Sequence, residues 1–386
     1  MTEVLARAWQ SRLVRWMYSI PLTVVCLVLL MILTFWGTLY QVENGLFAAQ
    51  EKFFSSWFVW VFGVIPFPGA KFVLGLLMIN LLGYMINILA FQPLRPGIVL
   101  IHSGLLVMLI GGAITHYYGE ETFLSLWEGE TANMSSAYYE WELAVWTRDG
   151  VMRDVLAIDT RGLEAGEQLA FAPTPITVDV ETYHPNARAY QTRDGSTPYL
   201  SSLKISRIEA APLDKEPTRN IPAGVFVVNA PGLDEPKRVL LFGDDTAPLI
   251  IPVGDAEYAI GLRQRRSPLP LAIKLIDFKK QKHPGTEIAR SFSSLVEVTA
   301  DGITRELTIS MNKPLRHRGY TLYQQSYRET PDGKESSTFA VTHNYGRLLP
   351  YVSTAMVVIG MIVHFVVMLI KHARRQSKAR AAEAVS

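Results

Sequence analysis

Cysteine is almost absent from this 386-residue sequence. Cys26 is the only one, and it lies inside an apolar run. The chain therefore cannot form an internal disulfide bond. It also has neither a CxxC pair for thiol exchange nor a CxxCH motif for covalent attachment of c-type haem. These absences exclude a disulfide-stabilised domain, a CxxC redox enzyme and a c-type cytochrome.

A strong net charge is also missing. The formal net charge is +2 and the hydrophobic fraction is 49%, both close to those of an ordinary soluble protein. The distribution is unusual, however, because apolar residues concentrate near the two ends of the chain. Residues 118–348 contain 26 Lys and Arg against 31 Asp and Glu, a charge of −5. This acidic balance argues against nucleic acid as a partner.

Four apolar runs are long enough to cross a lipid bilayer, at residues 20–40, 72–91, 97–117 and 349–370. About 20 apolar residues are needed to span a hydrocarbon core of about 30 Å. The first run is too long for a cleaved signal peptide, and no small-x-small cleavage site follows it. The sequence therefore predicts an integral membrane protein with four transmembrane helices.

Basic residues near the ends of these runs predict the orientation, since cytoplasmic flanks are rich in Lys and Arg. Residues 1–19, the loop containing Arg95 and the tail 371–386 are basic. We therefore expect both termini in the cytoplasm, with residues 41–71 and 118–348 outside. The expected location is the cytoplasmic (inner) membrane, with the large domain in the periplasm or its extracytoplasmic equivalent.

The outer hairpin, residues 41–71, contains a short aromatic segment before Pro66 and Pro68. This segment is too short to span the bilayer, and aromatic side chains concentrate at membrane interfaces. It predicts an interfacial helix at the outer leaflet or, alternatively, a segment packed against the outer domain. Its aromatic residues are Phe53, Phe54, Trp57, Phe58, Trp60 and Phe62.

Residues 118–348 predict a large β-rich domain. Residues 141–146 alternate between apolar and polar, turn at Arg148-Asp149-Gly150, and continue through 151–158. Pro and Gly separate further short strands. Because no long amphipathic helical period is present, we expect a sandwich or open barrel. The further strands are predicted at 176–182, 200–208, 225–229, 239–242, 272–278, 295–299 and 304–310.

Two histidines lie inside predicted spans, where an ionisable residue is costly and indicates function. His102 follows Arg95 by seven positions, and His364 precedes Lys371 by seven. At about 1.5 Å per residue, both lie roughly 10 Å from the flanking charges, at similar depth on antiparallel helices. Neutral imidazoles so placed can ligate haem iron. The alternative is that each histidine only hydrogen-bonds a neighbouring helix. The residues that permit close helix approach are Ser103, Gly104, Gly111, Gly112 and Gly360.

Several motifs occur in a characteristic order along this architecture. Residues 101–106 (IHSGLL) open the third span, and 123–130 (FLSLWEGE) follow it. Asn312-Lys313-Pro314-Leu315, Gly319-Tyr320 and residues 323–327 (YQQSY) come later. In this order, with this topology, the sequence resembles the ResB (CcsB) family of the system II cytochrome c maturation apparatus.

This resemblance implies a function in haem delivery. It implies a ResC/CcsA-type membrane partner with a tryptophan-rich haem-binding segment, which this sequence lacks. Together the two proteins export haem b, the transported substrate, and present it to the CxxCH thiols of apocytochrome c. The family's third-span histidine corresponds to His102, an axial ligand to haem iron. His364 is a further candidate ligand that the family pattern does not require. The resemblance implies a subunit of a haem-attachment complex that is non-catalytic alone.

Two other functions fit the residues alone. The first is a b-type haem electron-transfer subunit that uses His102 and His364 as a bis-histidine site. The second is a membrane-anchored sensor or scaffold in which both histidines are structural. Spectra of the haem content and a genetic test of cytochrome maturation distinguish the three.

Overall fold

The computed structural model describes residues 11–91, 95–147, 154–192, 195–245, 247–286 and 289–383. They form two compact units. The helical unit contains residues up to Gly119 together with those from Asn344 onwards, and the β unit contains Glu120–His343. The turn predicted at 148–150 lies outside the described residues.

Among the described residues, four helices are long and apolar enough to cross a membrane, as the sequence predicts. Many of their apolar side chains are exposed, as lipid-facing positions require. The protein is therefore a multi-pass membrane protein. The last helix does not stop at residue 370 but continues through the basic segment predicted as a tail. The helices are α1 (Arg12–Met17), α2 (Ile20–Asn44), α3 (Leu46–Ala49), α4 (Ala70–Phe91), α5 (Pro96–Tyr118) and α6 (Leu349–Glu383), and the spanning ones are α2, α4, α5 and α6.

Local sequence signals fix both ends of α2. The hydroxyl of Ser19 accepts a hydrogen bond from the amide of Leu22 at 3.4 Å, which caps the helix start. Pro21 occupies the first turn, where its missing N–H costs no helical hydrogen bond. At the other end, Gly45 has a φ of +83°, which glycine adopts readily and which ends the helix.

The outer hairpin differs from the predicted interfacial helix. The first part of the hairpin is helical, with α3 followed by a π-helical turn, Gln50–Phe54. The later residues form an antiparallel pair of strands, β1 (Phe58–Val61) and β2 (Ile65–Pro68). Phe62 and Gly63 connect them with φ values of +52° and +75°. Two consecutive positive φ values are what a tight hairpin turn requires. The helical prediction is therefore wrong for the second half of the aromatic segment, residues 58–62.

Small residues determine how closely α5 and α6 pack. A Cβ on Gly104 would lie 2.8 Å from Val357 Cγ2 and 3.0 Å from the Ser353 carbonyl oxygen. The Ser353 hydroxyl donates to the Gly104 carbonyl at 2.8 Å. Gly111 and Gly360 are similarly tight against the facing helix, as the sequence predicts. Gly112, in contrast, has open space around it, so its predicted packing role is wrong.

The β unit contains antiparallel sheets, and none of the described sheets closes into a barrel. The largest has ten strands, in the order β15-β14-β13-β4-β3-β18-β17-β16, with β12 on β13 and β5 on β4. A four-stranded sheet has the order β11-β10-β7-β6, and β8 pairs with β9. The strands are β3 (Glu120–Trp127), β4 (Thr131–Thr147), β5 (Val155–Asp159), β6 (Gln168–Ala170), β7 (Thr177–His184), β8 (Ala187–Gln191), β9 (Ile205–Ala210), β10 (Ala223–Asn229), β11 (Lys237–Phe242), β12 (Leu249–Val253), β13 (Ala256–Lys282), β14 (Ala289–Ala300), β15 (Ile303–Ser310), β16 (Leu315–His317), β17 (Tyr320–Glu329) and β18 (Glu335–His343).

Two apolar cores stabilise this unit. One packs the four-stranded sheet against the second half of β4 and the first half of β13, with Phe226 and Ile260 fully buried. The other includes Leu275 of β13 and Phe339 of β18. Strand β13 is a single long strand that contributes to both cores, and the segment 272–278 predicted from the sequence is only part of it. The fold class, four apolar helices and a β-rich domain, is confirmed.

The later motifs in the sequence have structural functions in this unit. Gln324 of β17 is buried, and its amide donates to the Ser337 hydroxyl at 2.6 Å while its carbonyl oxygen accepts from Ser294 at 2.8 Å. In the earlier Glu-Gly-Glu motif, the Glu128 carboxylate accepts from the Phe278 amide at 2.8 Å. Unpaired buried polar groups are costly, which explains these residue types at these positions.

Candidate functional site

His102 lines an apolar cavity of about 450 Å³ in the helical unit. The cavity lies between α2, α4 and α5, and its size is typical of a small-molecule site. The imidazole is half-buried, and its centroid lies 4.9 Å from that of the Tyr84 ring on α4. The remaining walls are mostly apolar: Ile20, Val24, Leu27, Leu77, Leu81, Leu105, Met108 and Leu109.

The hydrogen bond of His102 determines which ring nitrogen is available. Nδ1 lies 2.8 Å from the carbonyl oxygen of Ile98, one turn earlier in α5. A carbonyl oxygen only accepts, so Nδ1 must carry the proton. In the neutral ring Nε2 then keeps its lone pair, and within the described residues it has no hydrogen-bond partner. Metal-bound histidines typically use this arrangement, with the second nitrogen donating to a carbonyl or carboxylate.

Asn80 on α4 holds one wall of the cavity in place. Its amide nitrogen donates to the carbonyl oxygens of Met17 at 2.9 Å and Ser19 at 3.0 Å. Its side-chain oxygen accepts from the Thr23 hydroxyl at 2.7 Å. The side chain is only 4% exposed, so these three bonds satisfy a buried polar group and fix the start of α2 against α4.

We expect Asn80→Leu to destabilise the helical unit. The substitution keeps the size but removes all three hydrogen bonds of the Asn80 side chain, at a cost of about 1–2 kcal/mol. Cys26 is fully buried in α2, so its reaction with a thiol-reactive fluorophore during heating reports the opening of this unit. The midpoint temperature of Cys26 labelling should fall by several degrees. Thr23→Val removes only one of these bonds and should lower the midpoint less; equal shifts would contradict the assigned role of Asn80.

His364 lies at a different cavity from His102. A Cβ on Gly97 would lie 2.6 Å from the backbone nitrogen of His364, and Gly360 contacts Ile101 in the same way. His364 is therefore level with the first turn of α5, slightly more than one helical turn from the level of His102. It lines a cavity of about 300 Å³ together with Gly97 and Arg95. The structure does not bring the two imidazoles to one cavity.

The residues around His102 fit one side of a haem site. Axial ligation requires a neutral imidazole nitrogen, which Nε2 supplies, and the porphyrin requires apolar contacts, which the walls supply. Within the described lining, His102 is the only histidine, so this cavity holds one candidate imidazole ligand. Assignment of either histidine to haem remains a prediction.

Sequence reasoning missed Asn80 and Tyr84, although a signal was present. They are two of the three polar side chains in the run 72–91, the third being Asn87, and polar groups inside a span are rarely accidental. Their spacing places them on one face of α4. That this face turns towards His102 depends on helix rotation, which the sequence does not specify.

Comparison with known proteins adds one finding. Residues 240–334 match the model of the ResB-like family. Residues 240–334 are ResB-like. No curated protein matches the sequence. The matched segment includes β12 to β17 and hence the Asn312–Leu315 and Gln324 motifs, so the resemblance drawn from those motifs is confirmed there. The ResB-like family is linked to cytochrome c biogenesis.

The ResB-like match covers only one part of the molecule. It lies entirely in the β unit, whereas His102 and its cavity belong to the helical unit. The family match therefore supports the general process, and any statement about haem, export or a particular partner depends on the geometry around His102.

Proposed function

We propose that this protein is a membrane subunit for cytochrome c biogenesis that binds haem b as its transported substrate at His102. It acts with a ResC/CcsA-type partner, which supplies the opposite axial ligand. Together they export haem and hold it for covalent attachment to apocytochrome c. The observation that carries the proposal is the imidazole of His102: Nδ1 donates to the Ile98 carbonyl, which leaves the Nε2 lone pair free in the neutral ring, and the side chain lines an apolar cavity.

The chain's own contribution is positioning. The thioether reaction joins the vinyl groups of the substrate to two reduced cysteine thiols of the apocytochrome. Correct placement of such reactants supplies a large part of the rate. In this proposal His102 binds the haem iron, and Tyr84 restricts the orientation of the His102 ring. The apolar walls exclude water. The basic flanks of the spans favour cytoplasmic termini, so in this proposal the β unit faces the extracytoplasmic side.

The bis-histidine electron-transfer alternative needs both imidazoles at one iron. His102 and His364 line separate cavities, so no observation favours that function for the single chain. The sensor alternative assigns His102 a purely structural hydrogen bond, which leaves the apolar cavity that His102 lines unexplained.

Deletion of the gene tests the proposed process. We expect c-type cytochromes to lose covalently bound haem, because apocytochrome thiols no longer receive it, while b-type cytochromes keep theirs. Haem staining of denaturing gels, with immunodetection of the apocytochrome, measures this, and the wild-type gene should restore staining. Normal staining in the deletion strain, combined with lost quinol-dependent haem reduction, would instead support the electron-transfer function.

A further inference from the structure

The cavity of about 300 Å³ near His364 is lined by basic side chains from two helices. Arg95 precedes α5, while Lys371 and Arg375 lie one turn apart on α6. His372 also contributes to the lining. No Asp or Glu lines this cavity within the described part of the chain. Three fixed positive charges therefore face one small space.

These charges lack an internal counter-ion. Arg95, Lys371 and Arg375 are exposed and make no ion pair with a described residue. Like charges gathered at one cavity repel one another, and an anion placed between them relieves that repulsion. Arg374 lies on the same helix but does not line the cavity, so the arrangement is more specific than a general basic tail.

The cavity also has an apolar part. Ile98, Val367 and Met368 line it beside the basic side chains. It lies where the apolar runs of α5 and α6 give way to charge, which is the depth of lipid head groups in a bilayer. A ligand that satisfies both parts needs an anionic group attached to hydrocarbon. Basic pockets between transmembrane helices characteristically bind acidic phospholipids.

We propose that this cavity binds the head group of an acidic phospholipid. Arg95, Lys371 and Arg375 contact the phosphodiester, and the apolar residues contact the first carbons of the acyl chains. A free phosphate shares the same charge chemistry but leaves the apolar part without a partner. The proposal does not depend on haem binding at His102, which lines the other cavity.

Lipid titration of the full chain tests this site. We would purify the protein in a neutral detergent, add phosphatidylglycerol, and count bound lipids by native mass spectrometry. The double substitution Lys371→Gln with Arg375→Gln should weaken binding of the tightest lipid about tenfold or more. Arg95→Gln, directly before α5, should also weaken binding of this lipid. Zwitterionic phosphatidylcholine should bind equally well to the wild type and to the double variant.

A matched pair provides the control. Arg374→Gln with Arg380→Gln removes the same charge from the same helix outside the cavity, and should change binding by no more than about twofold. Equal weakening by both pairs would overturn the site in favour of a diffuse basic surface. Competition by glycerol phosphate at the affinity of the lipid would overturn the lipid assignment. The Cys26 thermal assay checks that each variant is folded.

Discussion

His102→Ala, purified with its ResC/CcsA-type partner, should contain about one tenth or less of the haem of the wild-type complex. The substitution removes the only imidazole among the described residues that line the apolar cavity, and carbon cannot replace its nitrogen as a ligand. The Soret absorbance and a pyridine haemochrome assay, both normalised to protein, measure the loss. Covalent haem on c-type cytochromes should fall in parallel in cells that carry the variant.

His364→Ala is the matched control for this experiment. It removes an imidazole from the same helical unit, but one that lines the basic cavity instead. We expect the haem content to stay within about twofold of the wild-type value, because the second axial ligand is assigned to the partner. Haem loss in His364→Ala but not in His102→Ala would reverse the assignment. Equal loss in both would favour a bis-histidine site.

Gly104→Leu should have a large structural effect on the helical unit. A Cβ at this position already meets the Ser353 carbonyl oxygen at 3.0 Å, and a leucine side chain needs far more room. The helices α5 and α6 must separate, which breaks the hydrogen bond from Ser353 and costs about 3 kcal/mol or more. We expect most of the protein to be lost from the membrane fraction, as measured by quantitative immunoblotting.

The same helix provides a control for Gly104→Leu. Gly112 is exposed and has no atom near its virtual Cβ, so Gly112→Leu should accumulate at the wild-type level. Leucine also favours helix formation over glycine by roughly 0.5–1 kcal/mol, which works against any loss. If the two variants accumulate equally, close packing at Gly104 does not stabilise the helical unit.

The membrane architecture could be predicted from the sequence because it depends on composition alone. Runs such as 97–117 must be helical in lipid, where every backbone group needs an internal partner. The prediction of an interfacial helix was wrong for residues 58–62 because aromatic and β-branched residues suit an interfacial helix and a hairpin equally well. The turn at Phe62-Gly63 makes this segment a hairpin, and the sequence contains no clear signal for a positive φ at Phe62.

The candidate site shows a similar limit. Counting residues from Arg95 and Lys371 places His102 and His364 at comparable depth, and the structure keeps them within little more than a helical turn of each other. Counting residues along the sequence does not show which way each ring faces. That depends on the glycine face of α5, where Gly97 and Gly104 turn towards α6 and leave His102 facing α4. Helix rotation therefore separates two histidines that look equivalent in the sequence.

Chemical rescue of His102→Gly measures the central claim most directly. Glycine leaves a space where the ring was, and free imidazole can enter it and supply the missing nitrogen. We predict that the purified variant complex lacks the wild-type haem spectrum and regains it on addition of imidazole, whereas N-methylated or bulkier analogues restore it less well. A wild-type spectrum in the His102→Gly complex before any imidazole is added would contradict ligation by His102.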